Sequence, residues 1–401
     1  MNTRGTMHKR RGNRDGFALP VAVFALVIIG VLVTGGFYMA RQETRIGVAS
    51  QNALDAFYLA ERGIYNTLAT WNNAAMSAPG AWNTTTVTGS GTSGTWSVTV
   101  MPMTSKLYFL QATGTVTKGG ALWAGASRQV GLIARINSAS LDPPAALTTI
   151  GALKFGGSSI IDGNDTDPGQ WPGLCGSPNT NKPGIMIKDT TLLNFVGNRT
   201  NIQRTQLFGT SDFQQDASMT SASLTTFGDM TWTDLTLMAD KHFTTAPGNP
   251  APSPTVGATT GTCDTSVMSN WGYPLANTHP CFNYFPIIWL DNPTTLWNFT
   301  GGEGQGILLI EGDIKVTGQF QFYGPIYIKG HLETAGGGGT QHFHGGIVAA
   351  NADLEQNSVL GTADIIYSSC AIERAILNNS GLTAAKPLAQ RSWVDLSSVA
   401  Y

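Results

Sequence analysis

Charge is scarce in this chain. Asp, Glu, Lys and Arg make up 12% of its 401 residues, about half the share in ordinary soluble domains. The missing basic clusters argue against a nucleic-acid-binding surface anywhere after Gly16. Cysteine is absent before Cys175, and the four present, Cys175, Cys263, Cys281 and Cys370, form no CxxC. Their spacings match no zinc pattern. Also missing are a convincing G-x-S-x-G elbow and a paired-carboxylate motif. Asp291, Glu303, Glu311 and Asp313 lie near Gly-rich turns, where solubility accounts for them, and the chain is expected not to be an enzyme. "GGEGQG" (301–306) holds no basic residue and is not a phosphate loop.

Glycine, by contrast, is abundant, with 48 residues, and hydrophobic residues reach 42% with 10 Trp. That composition fills a core and points to a turn-rich, β-rich exported protein rather than a disordered one. The balance of 23 basic against 25 acidic residues conceals an asymmetry. Arg4, Lys9, Arg10, Arg11 and Arg14 precede Gly16 with only Asp15 opposing them, so that 18 bases face 24 acids beyond it.

From Phe17 to Ala40 no residue is charged. These 24 positions suffice for ~30 Å of hydrocarbon. The far side, "FYMARQETRIG", lacks the small-residue site of a secretory signal. The run is therefore expected to stay as a single-pass anchor, with the basic end in the cytoplasm. The helix should continue outward to about residue 70. Leu54, Phe57, Tyr58, Ile64, Tyr65 and Leu68 recur at spacings of three and four, an apolar packing face on which Glu61 also falls. Pro20 is tolerable only in a first helical turn, where N–H groups have no intrahelical acceptor. That favours a chain beginning at Phe17.

Gly16-Phe17, the apolar run and "SQNALDAFYLAERGI" (50–64) together resemble the type IV pilins, specifically PilX-type minor pilins with a class III leader. The likeness covers about residues 10 to 70. It implies cleavage after Gly16 by prepilin peptidase, N-methylation of Phe17, and residence in the bacterial inner membrane. Incorporation into a pilus at the cell surface would follow, with other pilin subunits and the inner-membrane assembly machinery as partners. Major pilins carry Glu at the fifth mature position. Val21 stands there instead, which implies a tip or initiation role rather than the bulk fibre.

The expected organisation is a leader (1–16), a transmembrane and amphipathic stalk helix (17–71) and a pilin-like β-meander head (72–137). An enlarged β-rich extracytoplasmic domain (138–401) follows. The fold class is thus α+β: a long hydrophobic helix, an antiparallel β head and a large β-rich domain. Residues 72–94 read as a polar linker, before strands in "TWSVTVMPM", "KLYFLQATGTV" and "ASRQVGLIARI". Some helix is expected at 219–242. Gly306, Gly312, Gly318, Gly324, Gly330 and Gly336 recur every six residues, with apolar residues two and four places after each until Leu332 is followed by Thr334. That G-x-Φ-x-Φ-x hexad suits a β-solenoid whose Φ residues point inward. An antiparallel meander with glycine turns is the alternative. "HGGIVAANADL" and "ADIIYSSCAI" would supply the caps.

In an exported chain the four cysteines read as disulfides with three connectivities, of which Cys263–Cys281 is favoured. No cofactor is expected, with calcium on Asp162, Asn164, Asp165 and Asp167 the one exception considered. An Asx-rich turn explains the same residues. His342 and His344 share a strand face, with His331 nearby, and edge histidines are commoner than a metal pair. Among the aromatics, Phe320 and Phe322 suit a core, while Trp171 and Trp271 are the candidates for an exposed platform toward a sugar or a surface. The main reading is a polymerised minor pilin. Set against it are a membrane-anchored adhesin that never enters a fibre and a solenoid hydrolase.

Overall fold

The computed structural model describes residues 18–117, 126–176, 180–245, 251–335, 340–351, 357–389 and 392–397. Two compact units emerge. One combines the N-terminal helix with residues 74–134 and the chain from 387 onward, and the other spans 135–386 with residues 71–73.

In the first unit, helix α1 (Ala18–Ala69) runs unbroken for 52 residues, about 78 Å at 1.5 Å per residue. Four strands follow, β1 (Thr85–Ser90), β2 (Gly94–Pro102), β3 (Leu107–Val116) and β4 (Ser127–Ser138), adjacent in that order. The first two pairings are antiparallel. Alternation places Trp96, Val98, Val100, Tyr108, Leu110 and Ala112 inward, as expected of a sheet with one covered face. The covering is α1, through Ala56, Leu59, Ala60 and Ile64. Contact is close because Gly114 faces the helix: a Cβ there would strike the Ala56 carbonyl and the Ala60 amide.

Close approach explains why the packing face differs from the apolar stripe read in the sequence. Small residues mesh with the sheet. Of the expected set only Ile64 is fully buried, with Phe57, Glu61 and Leu68 half-buried, while Leu54 and Tyr58 stay 55% and 61% exposed. Residues 72–94 are no linker. They hold a short helix (Asn73–Ser77) and β1, whose Gly89 leaves room for the Trp96 ring. The head is also discontinuous, since strand Trp393–Asp395 returns to pair antiparallel with 130–132. The large domain is therefore an insertion in sequence rather than a C-terminal appendage.

The second unit is a parallel β-solenoid. Three hexads make one coil, so strands pair at offsets near 18: Gln319 beside Gly301, Ile326 beside Leu308, Leu332 beside Ile314. The hexad Φ residues all point inward. Leu308, Ile310, Ile314, Val316, Phe320, Phe322, Ile326, Ile328 and Leu332 are at most 1% exposed, and Thr334 is fully buried. Each buried aliphatic or aromatic contributes about 1.5–3 kcal/mol of transfer free energy. The glycines turn the corners in two ways. Gly306, Gly318 and Gly324 have positive φ. Gly330 instead gives clearance, because a Cβ would enter the Gly312 carbonyl. Gly336 lies outside the described residues.

Stack order departs from chain order. On one face the sequence of strands is Lys241–Phe243, Ile287–Leu290, Ile307–Ile310, 326–328, 347–349, Leu147–Thr149, Ile185–Ile187, Phe213–Gln215. The chain thus enters mid-stack at Leu147 and winds outward to Gln215. It then crosses along the outside and restarts at Lys241, at the opposite end. Winding back, it meets its own beginning. The seam is formed by Ile347 on Leu147, Asn357 on Leu153 and Ile365 on Ile161. Asn357, buried there, accepts from Leu332 N and donates to Thr149 Oγ1.

The expected caps change accordingly. The segments proposed as caps, "HGGIVAANADL" and "ADIIYSSCAI", supply interior rungs through residues 344–349 and 363–367, and 352–354 lie outside the described residues. The cap at the Lys241 end comes from residues 251–286, through Pro252 O to Glu303 N and Trp271 O to Gln305 N. Residues 219–242 hold the expected helix in two pieces. Gly228 takes φ +63, and capping boxes at Thr220 and Thr231 start two separate short helices, Ser221–Leu224 and Trp232–Thr236. From this crossover Phe227, Trp232 and Leu235 belong to a second core that includes Leu309, Tyr327 and Val348 on the solenoid's outer side.

Candidate functional site

The N-terminal feature with functional content is α1. Gly16 and Phe17 lie outside the described residues. From Leu19 the helix is long and apolar enough to cross a membrane once. Leu19, Val21, Phe24, Leu26, Ile29, Val31 and Leu32 are all more than half exposed, an arrangement that calls for lipid or another helix in place of water. Pro20 lies near the start of the described part of the helix, which begins at Ala18. Beyond Ala40 the helix becomes polar, and its small-residue face meets the sheet.

Both disulfides are formed, Cys263–Cys281 and Cys175–Cys370. The first joins two points of the loop that caps the solenoid, where Asn270 Nδ2 also donates to Thr255 O and Asp264 O. The second joins segments on opposite sides of the seam. At the capped end, under the loop that Cys263–Cys281 closes, Lys241 is the largest departure from sequence reasoning. It occupies the inner position next to Ile288 and is buried. Its ammonium donates to Thr265 O and Val267 O and lies 5.7 Å from the Tyr284 ring centroid. Burial holds its pKa below the ordinary lysine value. No pattern in the sequence marks it, because only the end of the ladder can supply carbonyls to a lysine pointing inward.

The calcium candidates are turned to separate partners. Asp162 accepts from the backbone and side chain of Asn164, forming the Asx turn. Asp165 accepts from Ser369 N and Oγ, at the start of helix Ser369–Leu377. Asp167 lies near Cys175 and Cys370, whose sulfurs are bonded to each other.

The histidines likewise separate. His331 pairs with Asp313 at 3.0 Å and contacts Asn351. His342 pairs with Asp364 at 3.2 Å. Burial pushes the His344 pKa down to about 4, with His342 adding to the shift, and its ring stacks on Tyr323. A histidine depressed from ~6.5 stays neutral in the fold while the unfolded chain takes up a proton. Stability is complete above about pH 6.5 and falls as pH drops toward about 4, by at most about 3 kcal/mol. Urea titrations of the wild type across pH 7 to 4 should show that loss, and His344→Phe should flatten it.

Of the remaining carboxylates, Asp291, Glu311 and Asp313 have structural partners. Asp291 meets His242 at 2.9 Å, and Glu311 accepts from Lys329 Nζ and the Trp232 indole. Burial raises the Glu303 pKa. Lys329–Glu311, His331–Asp313 and Lys315–Glu333 each join residues 18 apart, so each acid meets its base one rung away.

Trp171 and Trp271 are not exposed. Both are essentially fully buried. The Trp171 indole donates to Pro274 O, with Phe282, Phe285, Tyr323 and the Arg374 guanidinium around its ring. Trp271 donates to Met268 O and packs on Phe299. Proline-flanked sequence marked irregular backbone correctly but not exposure. These two loop tryptophans are core.

No protein-family model matches this chain, and no curated protein does. Among solved structures, the crystal structure of the competence-associated pilin ComZ from Thermus thermophilus matches at 12% identity and a TM-score of 0.23, over 86% of this chain and 96% of that one.

Proposed function

We propose that the chain is a non-enzymatic minor-pilin-like assembly subunit, held in the inner membrane by α1 and drawn into a fibre after cleavage at Gly16–Phe17. The observation that carries this reading is the division of one continuous helix. Its first turns carry exposed apolar side chains and no charge, whereas residues 56–64 are committed to a β head. A helix built only to tether has no need of a rigid run of about 78 Å. One destined for a bundle does, since burying its apolar surface against like helices drives association. Prepilin peptidase and other pilins are the partners this requires. Val21 in place of an acid, together with the large inserted solenoid, favours a tip or initiation position. No metal or cofactor takes part.

Fractionation of host cells tests the proposal. Wild-type chain should appear in sheared surface fibres, and Gly16→Val should remain in the membrane fraction. Wild-type chain found in membranes alone supports the tethered-adhesin alternative.

A further inference from the structure

The end of the solenoid opposite the disulfide loop carries a pocket of about 530 Å³ lined by Asn164, Thr200, Gln203, Arg204, Phe208 and Asp212, with Leu207 and Gly209. That volume lies within the range of about 300–1,000 Å³ typical of small-ligand sites. Its frame is rigid. Leu207–Phe208 pairs with 161–162, and the Phe208 carbonyl accepts from Gly163 N. Gly209, at φ +136, packs so closely that a Cβ would strike the Lys182 carbonyl.

Onto this frame the chain places one aromatic ring and a ring of planar polar groups. Phe208 is 36% exposed. Gln203 donates to Asp212 at 3.4 Å, leaving carboxylate lone pairs free. Among the described residues neither the Arg204 guanidinium nor the Thr200 hydroxyl has a hydrogen-bond or ion-pair partner. The two charges, Arg204 and Asp212, cancel. An anion would meet the carboxylate and a cation the guanidinium, so neither class of ligand is favoured. A neutral polyhydroxyl ring satisfies every group at once, with its C–H face on Phe208 and its hydroxyls bridging donors and acceptors.

We propose that this pocket binds a neutral saccharide unit. No residue of α1 lines the pocket, so the proposal stands whether or not the chain polymerises. Full-length protein in a detergent without a sugar headgroup is titrated with maltotetraose, cellotetraose and chitotetraose, read by saturation-transfer difference NMR. At least one should show transfer to its ring protons. Phe208→Ala should weaken that binding about tenfold, and Phe208→Trp should retain it. Arg204→Ala should weaken it as well. Should Phe208→Ala alter the thermal melt, Asp212→Asn carries the same test, because it is the Asp212 backbone carbonyl that accepts from Ile185 N. Failure of all three sugars to bind, binding indifferent to both Phe208→Ala and Asp212→Asn, or Arg204-dependent binding of octathymidylate instead would overturn the proposal.

Discussion

Gly324→Val is expected to lower the melting temperature of the solenoid by about 10 °C. Gly324 turns a corner at φ +136, and a Cβ there would run into the carbonyl of Gly306 one rung away. The next coil repeats the arrangement, since a Cβ on Gly345 would meet the Gly324 carbonyl. A branched side chain thus combines left-handed backbone strain of about 1–2 kcal/mol with overpacking of about 1–3 kcal/mol. For a unit of this size each kcal/mol moves the melt by about 2–4 °C. Gly169→Ala is the control. Nothing lies within 4 Å of its built Cβ, and its melt should match wild type. Thermal circular dichroism distinguishes the two, and an unshifted Gly324→Val melt would contradict the stacked-corner account.

Loss of the Cys175–Cys370 bond should cost more than loss of Cys263–Cys281. The sequence separations are 195 and 18. Loop-closure entropy alone then gives about 5 kcal/mol for the long loop and about 3 kcal/mol for the short one. Position adds to the contrast. The long link joins the two half-stacks, which otherwise meet at the seam through strand pairing and packing, whereas the short one staples a surface loop. Cys175→Ala/Cys370→Ala should lose amide-exchange protection first at 147–149 and 347–349. Cys263→Ala/Cys281→Ala should spare those strands and expose residues 251–286. Equal destabilisation by the two double variants would remove the special role of the seam.

Much of this was legible in the sequence, for identifiable reasons. The helix over 17–70 follows from an uninterrupted apolar run and a lack of proline after Pro20. The hexad fixed the inward residues because a glycine every six positions leaves one two-residue apolar face per strand. Coil closure after three hexads was not legible, nor was the return of residues 347–366 onto 147–162. Those pairings join strands some 200 residues apart and have no local signal. The first half-stack, lacking a regular glycine period, did not read as solenoid at all. The residues by which α1 meets its own head did not stand out because the large residues are conspicuous in sequence, yet close contact with Gly114 selects Ala56 and Ala60. The loop tryptophans failed for a similar reason: their neighbours in sequence are polar, while their neighbours in space are Phe282, Phe285 and Phe299. The pocket at Phe208 gave no sequence motif, because its residues come from an Asx turn, a seven-residue helix and a strand end.

The claim on which the functional reading depends is that α1 begins, in the working protein, at Phe17. Intact-mass and N-terminal peptide mass spectrometry of the chain purified from its native host tests it most directly. The account predicts an amino terminus at N-methyl-Phe17, with residues 1–16 gone. A chain still carrying Arg4 through Asp15 would contradict it and leave a membrane tether.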